Sequence, residues 1–438
     1  KIMHISSKIT FIFVLIYFSW NFYIQNGFTN KAIVKEELRL LKEMDEAGSR
    51  LEKLLKVEKE HMERLSETMN RATRLRITPN SNNPNNWPHP IPVIVFSCNR
   101  PDSVRAHVEK LIMYRPSAQQ FPITVSQDCD NESVKKEVEK FGNSVNYVKH
   151  PPGESVKIEI PTNLQKFKPY YYISRHYKLA LNHIFSNSNN YSSVIITEDD
   201  LDIAPDFFSY FSNTRYLLEK DPSLWCVTAW NDNGKPENID LKSNATLYRS
   251  DFFAGLGWMM TRKTWEELEP IWPNGFWDDW MREPVQRKQR QCIRPEISRT
   301  GMMKYGKEGT SKGQFFSDHL EKIKVNDLPV DFSQINLDYL QKNEFESRLS
   351  LDIRNAVPVD IDDITYPDWK PDYEGMKAII YYTGRTDFVA KADRLSLMHD
   401  FKAGVPRTAY NGIVTCFYKG TRIFLVPDRS KVPGYDSS

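Results

Sequence analysis

The sequence lacks several features that would assign it quickly to a functional class. Its 438 residues carry a formal net charge of only +2, from 59 basic and 57 acidic side chains, so a nucleic-acid-binding surface is not indicated. Its cysteines are few, and none forms a CxxC pair, which argues against a zinc knuckle. Neither a GxGxxG fingerprint nor a P-loop is present, which argues against a dinucleotide-dependent dehydrogenase or a kinase.

Long apolar runs are also scarce, and the one that stands out lies near the amino terminus. Ile9 to Ile24 is almost entirely apolar, follows two lysines, and is not followed by the small residues of a cleavage site. This pattern predicts a transmembrane signal anchor over residues 9–28, with residues 1–8 cytosolic and the following chain lumenal. Three glycosylation sequons, at Asn131, Asn190 and Asn244, agree with a lumenal chain.

Proline is absent from the stretch after the predicted anchor, which is rich in Glu, Lys, Arg and Leu. We therefore predict a helical stalk over residues 29–77. Residues at heptad spacing are Leu41, Met44, Gly48, Leu51, Leu55, Glu58, Met62, Leu65, Met69 and Ala72. This seam is typical either of a self-associating stalk or of a single solvated helix. Residues 78–91 form a Pro/Asn-rich linker, so a domain boundary is expected near residue 90.

The rest of the chain alternates between short apolar runs and amphipathic stretches. Over residues 92–331 this alternation predicts an α/β fold, a parallel or mixed sheet with helices on both faces. Residues 332–438 are predicted to form a smaller α/β lobe. It would contain a helix near Asp393 to Phe401 and a terminal hairpin that turns at Lys419-Gly420.

Three adjacent carboxylates follow the β-branched run Val194 to Thr197. This run predicts a buried parallel strand, and ligands of α/β folds bind at the carboxyl ends of such strands. Glu198, Asp199 and Asp200 would repel one another there, so one interpretation is a site for Mg²⁺ or Mn²⁺ that bridges to substrate phosphates. The alternative is a solvated turn with Asp202 as a helix N-cap.

Two earlier predicted strands also end in polar residues. Arg100 follows the first of them and Asp128 the second, so both are expected at the same sheet edge as the acidic triplet. An arginine and an aspartate placed there can bind a base and a diphosphate.

A second pair of acids, Asp278 and Asp279, lies between Trp277 and Trp280. Partial burial between indoles could raise the pKa of one acid toward that of a general base. The alternative is an ordinary helix start with an acidic first turn. The Gly/Lys/Ser stretch Tyr305 to Gly313 predicts either a loop that closes over phosphates or a flexible surface loop.

Six sequence blocks in this order are similar to those of the N-acetylglucosaminyltransferase I family. The blocks are Ser126-Gln127-Asp128-Cys129, Glu198-Asp199-Asp200-Leu201, Ala229-Trp230-Asn231-Asp232-Asn233-Gly234, Gly255-Leu256-Gly257-Trp258, Phe276-Trp277-Asp278-Asp279-Trp280-Met281-Arg282 and Arg294-Pro295-Glu296-Ile297-Ser298-Arg299. The resemblance covers nearly all of residues 92–438, whereas the anchor and stalk match only in kind.

The resemblance implies a GT-A fold and a Mn²⁺-dependent inverting enzyme of the Golgi membrane. This enzyme would transfer GlcNAc from UDP-GlcNAc to the 2-hydroxyl of the α-1,3-linked mannose of high-mannose N-glycans. The donor would be contacted by Arg100 and Asp128 at the uracil, His176 at the nucleotide, Glu198 and Asp199 at the ribose and sugar, and Ser311 at the diphosphate. Asp200 would be the single protein ligand of Mn²⁺, and Asp278 the general base.

The resemblance also implies two disulfides, Cys98 with Cys129 and Cys226 with Cys292. This sequence departs from the family pattern in two places. Its spare cysteine, Cys416, lies in the predicted C-terminal hairpin, so no role is carried over to it. The loop after Arg299 contains an insertion at residues 301–304.

Two other functions compete with this interpretation. A lumenal glycan-binding homologue without activity could use the same fold, but both the metal and the base positions are present. The related protein O-mannose β-1,2-GlcNAc-transferases share the donor site but carry an additional carbohydrate-binding domain, for which residues 31–90 leave no room.

Overall fold

The computed structural model describes residues 38–53, 56, 90–186 and 188–430. The chain divides into two compact units, residues 1–70 and 71–438. In the first unit, residues 38–53 and 56 are helical with exposed side chains, and the stalk over residues 29–77 stays a prediction. No helix within the described residues is both long and apolar enough to cross a membrane. The predicted anchor, residues 9–28, lies outside that part of the chain.

Residues 91–302 form ten strands, in agreement with the predicted alternation. The strands are β1 Val93–Ser97, β2 Ile123–Gln127, β3 Asn146–Lys149, β4 Ser193–Glu198, β5 Leu201–Ile203, β6 Leu224–Thr228, β7 Leu247–Ser250, β8 Trp258–Thr261, β9 Gln291–Pro295 and β10 Thr300–Met302. Eight of them form one sheet in the order β3-β2-β1-β4-β8-β6-β9-β7. The first four strands in this order are parallel, whereas β8 is antiparallel to β4 and to β6, so the sheet is mixed.

Helices pack on both faces of this sheet. They are α1 Pro101–Tyr114, α2 Glu132–Glu139, α3 Lys168–Ile184, α4 Phe207–Lys220, α5 Arg262–Leu268, α6 Trp277–Arg282 and α7 Pro284–Arg287. Alternate residues of β1 enter two different cores: Val93 and Val95 pack with α1, α2 and α4, and Ile94 and Phe96 pack with α3. A strand buried on both faces requires an uninterrupted apolar run, as the sequence has here.

The carboxyl-terminal part of the chain forms a second sheet. Its strands are β11 Val357–Pro358, β12 Lys377–Tyr382, β13 Phe401–Lys402, β14 Val405–Pro406, β15 Val414–Tyr418 and β16 Thr421–Pro427, and its helices are α8 Lys342–Asn355, α9 Ile361–Thr365 and α10 Arg385–Arg394. The sheet order is β11-β12-β16-β15, and β13 pairs separately with β14.

The predicted hairpin joins β15 to β16, with Lys419 and Gly420 both in the left-handed region that a tight hairpin turn needs. The predicted helix near Asp393 to Phe401 is wrong. The helix there is α10, and the chain after it turns through the left-handed Ser396 to bury Leu397. Phe388 and Ala392 are the buried apolar residues of this helix, and their spacing of four residues is the helical periodicity that marks its position in the sequence.

Candidate active site

The acidic triplet lies at the carboxyl end of β4, where the turn from β4 to β5 is buried and not solvated. Glu198 ends β4, and Asp199 and Asp200 form the turn to β5 with only 1% and 7% of their surface exposed. Asp202 lies in β5 and pairs with Lys110, so the alternative in which it caps a helix is wrong. The buried triplet therefore needs positive charge near it.

Arg100, immediately after β1, supplies part of that charge. Its guanidinium forms an ion pair with Asp200 at 3.0 Å and another with Asp199. It also donates to the carbonyl of Tyr305 at 2.9 Å. The polar ends of two neighbouring parallel strands thus meet at one sheet edge, as the sequence predicted for Arg100 and the triplet.

One guanidinium does not neutralise three carboxylates. Burial and, after it, repulsion by Asp200 together raise the pKa of Glu198 to about 7. Burial also raises the pKa of Asp199 to about 7 despite the opposing charge of Arg100. One carboxylate oxygen of Asp199, Oδ2, is buried without a hydrogen-bond partner among the described residues. Three adjacent carboxylates, one of them with an unpartnered oxygen, offer the hard oxygen ligands that a divalent cation such as Mg²⁺ or Mn²⁺ prefers.

Asp128 and His176, both predicted to contact the nucleotide, lie together at the end of β2. His176 Nδ1 is 3.3 Å from Asp128 Oδ1, and its Nε2 is 2.9 Å from the Ser126 hydroxyl. Burial lowers the pKa of His176 well below its ordinary value and raises the pKa of Asp128 to about 6. At neutral pH the imidazole is therefore neutral and the carboxylate is ionised, which leaves a charged acceptor at this position.

Tyr177 connects the triplet to the second acidic pair. Its hydroxyl donates to Glu198 Oε1 at 2.7 Å. Its ring stacks on Phe96 at 3.8 Å and on Trp277 at 4.1 Å between centroids. Because Trp277 directly precedes Asp278, this one tyrosine places the second pair of acids beside the triplet.

Asp278 and Asp279 lie in the first turn of α6, and both accept from Arg282, at 3.0 and 2.7 Å. Lys402 Nζ lies 3.1 Å from Asp279. Burial tends to raise the pKa of Asp279, but Arg282 and Lys402 outweigh burial and lower that pKa.

The loop after β10 lies against the triplet. The Met303 amide donates to the Asp200 carbonyl at 2.8 Å, and a Cβ on Gly306 would lie 3.6 Å from Asp200 Oδ2. Ser311 lies further along the loop, where its carbonyl accepts from the Gln314 amide. It is exposed, and no contact among the described residues joins it to the triplet. Its predicted role at the diphosphate thus stays a prediction.

Both disulfides implied by the resemblance are formed. Cys98 bonds to Cys129 beside the Arg100 and Asp128 positions, and Cys226 bonds to Cys292 across the neighbouring strands β6 and β9. Cys416 is a buried free thiol. The inserted stretch at residues 301–304 enters β10, which pairs with β5 directly after the triplet.

Three site residues were missed by sequence reasoning. Tyr177 follows His176 in the chain, but no local pattern reveals its bond to Glu198. Arg282 could have been found, because arginines three and four residues after acids on a helix lie on the same face. Lys402 carries no sequence signal for its contact with Asp279.

Solved structures resemble the chain only in part. A mannosyltransferase from Pyrobaculum calidifontis, solved with GDP-Man and Mn²⁺, aligns at 15% identity and a TM-score of 0.32 over 54% of this chain and 63% of its own. GalNAc-T7, solved with UDP, GalNAc and Mn²⁺, aligns at 11% identity and a TM-score of 0.35 over 49% and 43%.

Sequence comparison is far more specific. An Arabidopsis thaliana protein, the alpha-1,3-mannosyl-glycoprotein 2-beta-N-acetylglucosaminyltransferase, is 40% identical over 341 residues, which cover 77% of this chain and 74% of that protein. The model of the GNT-I family matches residues 3–438. With the two acidic groups, the two disulfides and the mixed sheet in place, the chain belongs to the GNT-I family.

Proposed function

We propose that this protein is a GT-A inverting glycosyltransferase that uses Mn²⁺. It moves GlcNAc from UDP-GlcNAc to the 2-hydroxyl of the α-1,3-linked mannose of high-mannose N-glycans, in the Golgi lumen. Family membership and the named relative establish N-acetylglucosaminyltransferase I activity. The metal, the stereochemistry, the location and the residue roles are parts of the proposal.

The observation that carries these roles is the position of Tyr177 between two carboxylate groups. Its hydroxyl bonds Glu198 of the triplet, and its ring stacks on Trp277, beside Asp278. Inverting transfer requires two such groups on opposite sides of the reacting carbon, one at the leaving diphosphate and one at the attacking hydroxyl. A single aromatic side chain separates the two groups here.

On the donor side, Arg100 and Asp128 would hold the uracil, and His176 would contact the nucleotide. Asp200 would hold the divalent cation, with Glu198 and Asp199 at the ribose and sugar. When bound, the cation supplies positive charge to the departing diphosphate. The unpartnered Asp199 oxygen and the raised carboxyl pKa values support a cation at this site.

On the acceptor side, Asp278 would take the proton from the mannose 2-hydroxyl. The hydroxyl oxygen then forms a bond to the anomeric carbon of GlcNAc as the bond from that carbon to the diphosphate oxygen breaks, so the configuration inverts. Asp279 forms ion pairs with both Arg282 and Lys402, whereas within the described residues Arg282 is the one ion-pair partner of Asp278. Asp278, the carboxylate with fewer cationic partners, is the better proton acceptor.

A donor and acceptor screen with and without Mn²⁺ tests this function. We expect transfer from UDP-GlcNAc to the five-mannose N-glycan, no transfer in EDTA, and loss of Mn²⁺-dependent UDP binding in Asp200→Ala. Asp202→Ala is the matched control, because Asp202 lies two residues away in β5 and pairs with Lys110 instead.

Three outcomes would contradict the proposal. Full activity in EDTA would remove the metal from it. Transfer to O-mannosyl peptides but not to the N-glycan would change the acceptor class, and glycan binding without any transfer would indicate a non-catalytic homologue.

A further inference from the structure

Beside the second acidic pair lies a group of half-buried aromatic side chains that the reaction described so far does not use. We call Phe167, Tyr170 and Phe276 the aromatic shelf. The Phe276 ring stacks on Tyr170 at 5.0 Å and meets Phe167 edge to face at 5.6 Å, and Phe167 lies 6.1 Å from Tyr170. All three rings remain partly open to solvent.

The backbone that holds Phe276 on the shelf is unusual. Phe276 has φ 53° and ψ 43°, the left-handed region that a bulky aromatic residue rarely adopts. Such a conformation costs free energy and persists where surrounding contacts require it, often at functional sites. The preceding residue, Gly275, leaves room for the Tyr171 ring at this turn, because a Cβ on residue 275 would lie only 3.0 Å from that ring. Phe276 is thus turned toward the rings of α3 at an energetic cost.

The shelf is next to the proposed base. Phe276 immediately precedes α6, and its carbonyl accepts from the Trp280 amide, so it is part of the same turn as Asp278. Burial and, after it, the negative charges of Asp278 and Asp279 raise the pKa of Tyr170. A substrate hydroxyl that reaches Asp278 therefore brings its neighbouring groups close to these rings.

The surface of the shelf matches one kind of ligand. Pyranose rings have faces of apolar C–H groups and a rim of hydroxyls, and exposed aromatic rings with a polar tip bind such amphipathic surfaces well. Lys166 Nζ lies 4.9 Å from the centroid of Phe167 and covers part of that ring. Tyr170 and Phe276 are left as the principal contact surface.

We infer that the aromatic shelf is an acceptor subsite that stacks the sugar next to the mannose being modified. The inference rests on the proposed function, because it requires a mannose oligosaccharide at Asp278. It goes beyond that function by assigning recognition of the oligosaccharide, as distinct from the single reacting mannose, to Tyr170 and Phe276.

Phe276→Gly is the sharpest test, because glycine adopts the left-handed conformation freely and so removes the ring while keeping the backbone. With the full-length chain, we expect KM for the five-mannose glycan to rise by about tenfold or more. The kcat at saturating glycan and the KM for UDP-GlcNAc should change by less than about twofold. Transfer to methyl α-mannoside, which has no neighbouring sugar, should be unaffected.

Tyr170→Ala provides a second route to the same result if Phe276→Gly unfolds. Tyr373→Ala, an exposed tyrosine of the C-terminal lobe, is the matched control and should leave all parameters unchanged. Titration calorimetry of the glycan against Asp278→Asn, with and without Phe276→Gly, measures binding without turnover. We expect weaker glycan binding in the double variant.

Failure of the proposed function and failure of the acceptor subsite give different experimental results. If the wild-type chain does not modify the five-mannose glycan, the proposed function is wrong. If it does, but folded Phe276→Gly and Tyr170→Ala keep wild-type KM and binding for that glycan, the shelf is structural and the inference is overturned. Equal losses for the glycan and methyl α-mannoside would also overturn it, because the rings would then serve the reacting mannose.

Discussion

Arg282 determines how the second acidic pair is arranged. Its guanidinium donates to Asp278 and Asp279, and its Nε donates to the Phe253 carbonyl at 3.0 Å. The group lies over the ring of Phe252 and is nearly buried, so its position is defined from several sides. Two carboxylates in one helical turn are thus held side by side by a single cation, and they differ in what else they contact.

This difference predicts unequal effects of two matched substitutions. Asp278→Asn keeps the size of the side chain but removes the base, so kcat should fall by roughly two to four orders of magnitude while UDP-GlcNAc still binds. Asp279→Asn should have a much smaller effect on kcat. Steady-state kinetics with donor binding measured separately would show this, and a dead Asp279→Asn beside a near-normal Asp278→Asn would reverse the two roles.

At the scale of elements, helix α1 is joined to both strands that flank the acidic turn. His107 of α1 is fully buried, with Nε2 2.8 Å from the Thr197 hydroxyl in β4 and Nδ1 bonded to the Leu201 carbonyl in β5. Because a carbonyl only accepts, Nδ1 carries the proton and Nε2 accepts from Thr197. Burial lowers the pKa of His107 to about 4.

The neutral imidazole makes this packing sensitive to acid. In the unfolded chain His107 has a pKa of about 6.5, whereas in the folded chain its pKa is about 4. Between these two values the unfolded chain binds a proton that the folded chain does not bind, so the free energy of unfolding decreases as the pH falls from about 6.5 to about 4. Between pH 7 and pH 5 the free energy of unfolding should fall by about 2 kcal/mol more in wild type than in His107→Gln. Urea denaturation at both pH values measures this.

His183→Gln is the control for that experiment, since His183 lies exposed on α3. It should keep the wild-type dependence on pH. An identical pH dependence in His107→Gln and wild type would show that His107 does not carry the effect.

At the scale of the whole molecule, the C-terminal lobe contacts the candidate active site and shares a core with the large sheet. Trp230 and Phe252 pack with Ile380 and Leu425 of the lobe. Two ion pairs cross the same boundary: Arg407 with Asp232 at 2.7 Å, and Arg422 with Glu296 at 2.8 Å. Lys402 of β13 extends from the lobe to Asp279 at 3.1 Å.

Lys402→Met, a substitution in the C-terminal lobe, should therefore change the pH dependence of catalysis. Removing one of the two cations beside Asp279 makes the electrostatic potential at the acidic pair more negative, although Arg282 still faces both carboxylates. The acidic limb of the kcat/KM profile should move to higher pH, with a loss of roughly three- to tenfold near that limb. Lys402→Arg should restore the profile.

Lys391→Met removes a lobe lysine that pairs with Asp387 on its own helix, and it should leave the pH profile unchanged. A Lys402→Met enzyme with reduced activity but an unshifted acidic limb would mean that Lys402 acts only in packing.

Local sequence determined much of this protein. Apolar runs of strand length predicted the buried strands, because a strand covered on both faces must be apolar at every position. The triplet, Arg100 and Asp128 were predicted to meet at one edge because parallel strands end on the same side of a sheet. The turn at Lys419-Gly420 followed from its local backbone requirement. These features depend on neighbours in the chain or on the direction of a strand.

Tertiary structure alone decided the rest. The antiparallel insertion of β8 between β4 and β6 depends on pairing partners that a local pattern does not encode. Lys402 lies 123 positions from Asp279, and Tyr177 reaches Glu198 across 21 positions while stacking on Trp277. Such contacts depend on strand order and side-chain direction, which are set only when the whole chain packs. The links between the two acidic groups are therefore properties of the folded molecule.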